Sequence, residues 1–189
     1  MDKYLLISSS EKITEALVRM LNQTMQCKID IITSSGQARR TLLDSEYDLI
    51  FINTPLTDET GIELSIDIAE KNDSGVLLLV KAELADQIQE KVEEYGVFVV
   101  GKPINRDLMF SALKFVNASR KKILALRQKE QELNKKMDTM KSVDRAKCCL
   151  IQFMNMTEEQ AHHYIERQAM NLRKPKKEIA EDIIRTYET

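Results

Sequence analysis

Five short apolar runs, at residues 4–7, 29–32, 49–52, 76–80 and 97–100, alternate with stretches of helical period near 11–24, 35–45, 60–71 and 84–95. The runs are rich in Val, Ile and Leu and do not alternate with polar residues, the pattern of parallel strands buried on both faces. Four β-α alternations and a further helix from about residue 105 predict an α/β unit with a five-stranded, doubly wound parallel sheet. In such a sheet the functional side chains gather at the carboxyl ends of the strands. That rule directs attention to Ser8, Asn53, Val80 and Lys102.

The chain continues well past this unit. From Asp107 to Met154 there is neither proline nor glycine, so nothing forces the last helix to stop. Val116, Ile123, Leu126, Leu133, Met137 and Met140 fall on alternating steps of three and four, with Ser119 and Glu130 as polar exceptions. This heptad seam predicts a self-associating coiled coil, a parallel homodimer weakened by Glu130 and by methionine packing. Beyond it, Val143, Ala146, Leu150, Phe153 and Met154 form an apolar face. Thr157-Glu-Glu-Gln160 reads as a capping box opening a new helix, with Ala161, Tyr164, Ile165, Gln168, Ala169 and Leu172 in one stripe. Pro175 suits the first turn of a last helix whose inner face is Ile179, Ala180, Ile183, Ile184 and Tyr187. The expected organisation is an α/β domain over 1–117, a coiled-coil linker helix over 118–141 and a small three-helix bundle over 142–189.

The first unit resembles a signalling receiver domain, a flavodoxin-like fold. Tyr47-Asp-Leu-Ile-Phe-Ile-Asn53, with Gly61 eight residues on, matches the strand and turn at which a receiver carries its phosphoacceptor aspartate. Tyr4-Leu-Leu-Ile7 runs into Ser8-Ser9-Ser10, where a receiver holds Mg²⁺ with two acidic residues. Gly101-Lys102-Pro103 matches the end of the fifth strand, whose lysine pairs with the phosphoryl group in receivers. Val80, or Lys81 if the register slips, stands where receivers have a hydroxyl, and Pro55 comes early after Asn53. An amide is a very poor nucleophile, so the acyl-phosphate chemistry of a carboxylate is closed to Asn53. Ser8 and Ser9 offer no charge to a cation that prefers carboxylate oxygens. The resemblance therefore implies a pseudo-receiver with a degenerate pocket of Ser8, Ser9, Asn53, Val80 and Lys102. There Lys102 is expected to bond Asn53 or a loop carbonyl. Asp48 opens a strand and Asp58 lies in a turn; neither replaces Asn53.

The tail resembles an ANTAR domain, the RNA-binding module of bacterial transcription antitermination regulators. The resemblance rests on Asp144-Arg-Ala-Lys-Cys-Cys-Leu-Ile151, Met156-Thr-Glu-Glu-Gln-Ala-His-His-Tyr-Ile-Glu-Arg-Gln-Ala-Met170 and Lys177-Glu-Ile-Ala-Glu-Asp-Ile-Ile184. Cys148 stands where many relatives have glycine. The resemblance implies a dimer that binds paired hairpins in leader RNA and disfavours a competing terminator. Residue by residue, Arg145, Lys147, His162, Arg167, Met170, Arg173 and Lys174 are the candidate RNA contacts. RNA loops are read by stacking unpaired bases on planar or apolar side chains while basic residues hold phosphates. Lys176 is a further candidate for phosphate. Taken without the resemblance, these bases are what a solvated helix face looks like, because Glu158, Glu166, Glu178 and Asp182 roughly balance them.

Composition narrows the remaining classes. A formal charge of -2 announces no nucleic-acid partner by itself. No apolar run reaches the ~18 residues of a membrane span, and Met1-Asp-Lys-Tyr4 lacks the basic start and long apolar core of a signal peptide, so a cytoplasmic protein is expected. Cys27, Cys148 and Cys149 are an odd number without CxxC spacing, read as reduced, partly buried thiols. His162 and His163 diverge on a helix and no third ligand joins them, so no metal and no cofactor are expected. No nucleophile-base pair marks an enzyme. The alternatives to an RNA-binding antiterminator are a DNA-binding response regulator and a protein-interaction adaptor. A regulatory protein docking on the pseudo-receiver is a further candidate partner.

Overall fold

The computed structural model describes residues 2–23 and 26–188. The chain forms two compact units, Met1–Leu124 and Ala125–Thr189, described separately below. Their boundary lies inside one long helix, within the segment expected as a linker.

The first unit holds β1 (Asp2–Ser8), α1 (Glu11–Asn22), β2 (Cys27–Ile32), α2 (Ser35–Asp44) and β3 (Leu49–Asn53). It continues with α3 (Ile62–Lys71), β4 (Gly75–Lys81), α4 (Ala85–Val92), β5 (Phe98–Lys102) and the start of α5 (Arg106–Met154). The strands are all parallel in the order β2-β1-β3-β4-β5. β3 and all of β4 but Lys81 are buried, which explains their unbroken apolar runs. Leu5, Ile7, Ile50, Ile52, Leu78 and Val80 point to one face, against Ala38 of α2, Leu64 and Ile68 of α3, and Ile88 and Val92 of α4. Tyr4, Leu6, Phe51, Leu77, Leu79 and Val100 point to the other, against Leu17 and Leu21 of α1 and Met109, Leu113 and Val116 of α5.

Local chemistry sets several boundaries. Gly61 caps α3 at φ 88°, so that helix starts at Ile62 rather than near residue 60. The stretch expected as one helix over 84–95 is α4 flanked by single 3₁₀ turns, Ala82–Leu84 and Glu93–Tyr95, and stopped by Gly96 at φ 75°. Gly75 has a packing reason: a Cβ there would lie 2.4 Å from Val116 Cγ1 and 2.6 Å from Leu49 Cδ2. The pattern over 11–24 ends as a helix at Asn22, and Thr24 lies outside the described residues.

The second unit contains the rest of α5, then α6 (Glu158–Leu172) and α7 (Lys176–Tyr187). Its core is Ala146, Cys149, Leu150, Ala161, Ile165, Ala169, Ile179, Ala180 and Ile183. The expected capping box is present: Gln160 N–H donates to Thr157 Oγ1 at 3.2 Å, and Thr157 N–H to Gln160 Oε1 at 2.9 Å. Pro175 occupies the cap position of α7, one residue before its first turn. Three apolar expectations fail. Phe153, Met154 and Leu172 are about half exposed. Cys149 takes the place in the core that the pattern gave to Phe153, since it sits one turn below and on the inner side. Phe153 instead stacks on Tyr187 with ring centroids 5.4 Å apart. Leu172 is the last residue of α6, where the chain is already turning away.

Candidate functional site

Two groups of side chains, one in each unit, have the means to recognise something. The first lies at the carboxyl ends of the strands. Period-two alternation puts Ser8, Asn53, Lys81 and Lys102 on the α1/α5 face, with Ser8 opposite Asn53 and Lys81 opposite Lys102. Ser8 and Asn53 are buried at 2% exposure. Asn53 Nδ2 donates to Ser8 Oγ at 3.1 Å, and Lys102 Nζ donates to Asn53 Oδ1 at 3.0 Å and to the Thr54 carbonyl at 2.5 Å. The lysine thus makes both bonds that its sequence context suggested. Ser9 turns away, donating to the Pro55 carbonyl at 2.9 Å. The Thr54–Pro55 and Lys102–Pro103 peptides are both cis.

Val80 does not line this pocket. It is fully buried on the opposite face, among Ile7, Ile52 and Leu78. β4 runs one residue past its last apolar side chain, and that residue, Lys81, faces the pocket. The alternative register is therefore the correct one. Burial first, and the Lys81 charge second, hold Lys102 below the ordinary lysine pKa. Asp58 is engaged elsewhere: its carboxylate accepts from Ser35 N–H at 2.9 Å, Ser35 Oγ at 2.8 Å and Gly36 N–H at 3.0 Å. These bonds pull its pKa down to about 2.

The second group surrounds α6, and its candidate residues are not in one place. On the outer side, Met156, Gln160, His163, Tyr164, Glu166, Arg167, Met170 and Asn171 line an open groove of about 720 Å³. Met170 is 78% exposed there. On the α5 side, Lys135, Lys136, Lys147, His162 and Lys176 line a basic groove of about 530 Å³, floored by Met140 and Val143. Lys135 and Lys136 flank the heptad seam in sequence and are not among the candidate RNA contacts named above. Their position about three turns before Lys147 on the same helix was the signal that could have joined them to it. Arg145 belongs to neither groove. It lies beside α7 and bonds Glu188, its Nε donating at 2.9 Å.

Most of the cations already have partners. Lys147 pairs with Asp144 at 3.0 Å and Glu158 at 3.6 Å, and Lys174 with Glu178 at 2.5 Å. Lys176 and His162 share Glu166, at 2.6 and 3.3 Å. The Lys176 bond is the main reason that the Glu166 carboxyl lies below its usual pKa. Arg167 and Arg173 have no ion pair among the described residues. Arg173 is also conformationally special. Lys174 N–H bonds Ala169 O at 3.0 Å and Arg173 N–H bonds Met170 O at 3.3 Å, a Schellman ending with Arg173 at its left-handed position, φ 52°. Glycine usually fills that position because a Cβ is strained there.

Among the described residues no cluster could hold a metal ion, and no helix is long and apolar enough to cross a membrane. Cys27 and Cys149 are buried, Cys148 is exposed, and all three are free thiols.

Comparison with known proteins agrees with this division. Residues 131–184 match the ANTAR domain family. Over 180 residues the chain is 25% identical to the transcriptional regulatory protein PdtaR of Mycobacterium tuberculosis, covering 93% of this chain and 88% of that one. The fold of the first unit matches the signal receiver domain of an HD domain-containing protein from Pseudomonas fluorescens Pf-5. There the TM-score is 0.59 at 20% identity, over 66% of this chain and 92% of that one. The non-phosphorylated HemR receiver domain from Leptospira biflexa matches at TM-score 0.54 and 22% identity, over 62% and 94%. The chain thus joins a receiver-like sheet to a region that matches the ANTAR domain, and its similarity to PdtaR runs through both.

Proposed function

We propose that the chain is a non-enzymatic transcription antiterminator that binds hairpins in leader RNA as a homodimer, and whose receiver-like unit takes no phosphoryl group. The observation that carries this reading is the outer face of α6, inside the region matched to the ANTAR domain. It offers an exposed thioether at Met170, two rings at His163 and Tyr164, amides at Gln160 and Asn171, and the unpaired guanidinium of Arg167. Unpaired RNA bases stack on such surfaces and present polar edges to amides, while an arginine holds the backbone. The basic groove on the other side of α6 suits the phosphates of a stem. The PdtaR relative is named as a transcriptional regulator, and the same role is inferred here.

Dimerisation is inferred from α5. Ile123, Leu126, Leu133, Met137 and Met140 are 51–67% exposed in the single chain, a stripe at heptad spacing broken only by Glu130. Lack of phosphorylation is inferred from the pocket. Asn53 replaces the nucleophile, and Ser8 and Ser9 spend their hydroxyls on Ser10 and Pro55 carbonyls.

The test is binding of the purified protein to a two-hairpin leader RNA across a salt series, beside Arg167→Ala, Arg173→Ala and an equimolar duplex DNA competitor. Affinity should fall linearly in log salt, by ~0.7–0.9 per phosphate contact, and each substitution should lower that slope by about one contact. A folded, dimeric protein that ignores the RNA, or prefers the duplex, sinks the proposal.

A further inference from the structure

The pocket end of the sheet is cationic, and no carboxylate among the described residues neutralises it. Lys81 and Lys102 are cross-strand neighbours on one face. The Lys102 ammonium has two oxygen partners, the Asn53 amide and the Thr54 carbonyl, and both are neutral. Among the described residues no carboxylate pairs with Lys12, Lys81 or Lys102. A half-buried ammonium with only neutral acceptors is less stable than one with a counter-charge. The third proton of Lys102 has no acceptor among the described residues.

Beside this cation runs a groove of about 490 Å³ between α1 and the β5–α5 connection, lined by Ser10, Lys12, Ile13, Met20, Lys102 and Ile104 among others. Its walls are apolar apart from Ser10 and the two lysines. The volume is in the range of small-molecule sites, and one wall charge shared with the pocket is the kind of convergent polar group such sites use. Inorganic phosphate would satisfy the charges and leave the walls wet. A neutral hydrocarbon would cover the walls and leave the charges unpaired. Only a ligand with both parts answers both.

We propose that this groove binds a small organic anion, its carboxylate or phosphate head on Lys102 and Lys12 and its apolar body along α1. Such a ligand takes the place of the missing phosphoryl chemistry as an input to the receiver-like unit. The inference rests on the first unit alone and holds whether or not the tail binds RNA.

The experiment uses the full chain with ¹³C-labelled Ile and Met methyls, titrated with octanoate, octyl phosphate, octanol and inorganic phosphate, each below its micelle or solubility threshold. Octanoate or octyl phosphate should shift the Ile13, Met20 and Ile104 methyls saturably, the tighter of the two naming the head group. Octanol and inorganic phosphate should bind at least roughly tenfold more weakly, because a charge-assisted bond or the apolar contact is then missing. Lys102→Gln should weaken octanoate by a similar factor and leave octanol unchanged. Lys12→Gln, at an exposed position that folding does not need, should do the same to a smaller degree. No saturable shift from either anion in a folded protein overturns the proposal. So does octanol binding as tightly as octanoate.

Discussion

At the scale of single residues, two side chains carry information opposite to their appearance. Arg173 reads as one more surface cation, yet it sits at φ 52°, where a side chain costs roughly 1–2 kcal/mol relative to glycine. Such strain persists where the surroundings or a function require it, and the RNA contact proposed for its guanidinium is one such need. Arg173→Gly should therefore raise the melting temperature of the protein while weakening RNA binding several-fold. Calorimetry and a binding titration on one sample check both. A variant that is stabilised and still binds as the parent does would remove Arg173 from the interface. Asp58 reads as a stray receiver carboxylate, and the structure shows it capping α2 through two N–H groups and a hydroxyl. Its folded pKa of about 2 lies below the ordinary aspartate value near 3.9. The stabilisation is thus complete above about pH 4 and disappears as pH falls through about 2. Asp58→Asn should be less stable than the parent at pH 7, and denaturant midpoints should converge as pH approaches 2. A constant gap across that range would contradict the capping role.

Among elements, α5 is the one whose chemistry the single chain leaves incomplete. Met109, Ala112, Leu113 and Val116 pack on the sheet; from Ile123 to Met140 the apolar side chains of the seam face water. Glu130 falls in the middle of that stripe at a seam position. Two substitutions separate a self-associating helix from a solvated one. Leu133→Lys should shift sedimentation to the monomer, and Glu130→Leu should tighten the dimer by tenfold or more, as a desolvated carboxylate is replaced by a packed side chain. Equal sedimentation of all three proteins would mean that the stripe has another use. The sheet was legible in the sequence because buried parallel strands carry a dense apolar signal and a strict period. The end of β4 was not, since its last residue is a lysine, and a run of apolar letters stops one residue before the strand does. That single position moved the pocket assignment from Val80 to Lys81. α6 was legible from Thr157 and Gln160. Its far end was not, because a Schellman ending normally announces itself with glycine and here carries Arg173. Ion pairs that neutralise Lys147, Lys174 and Lys176 join residues three to eleven positions apart. Charge counting registers them as balance without saying which cations remain free.

At the scale of the whole molecule, the proposed dimer through α5 would carry two copies of the ANTAR-matched module, each with few uncommitted cations. One module offering Arg167, Arg173 and a basic groove already engaged with Asp144, Glu158 and Glu166 should hold one hairpin only weakly. Two modules on one RNA convert the second contact into an intramolecular event, and avidity can exceed either affinity by ~10²–10⁴ with no new contact. A two-hairpin RNA should therefore bind the parent protein at least a hundredfold more tightly than either hairpin alone, at matched salt. The monomeric Leu133→Lys variant should lose that gain while keeping the single-hairpin affinity, because Leu133 lies outside both grooves on α6. Spacing between the hairpins should matter only to the parent, with an optimum where the linker spans the two modules. If the variant retained the two-hairpin advantage, both hairpins would be contacting one module, and dimerisation would have no part in recognition. If single and paired hairpins bound the parent equally, the few free arginines would suffice alone, and the heptad stripe would be answering to a partner other than a second copy of the chain.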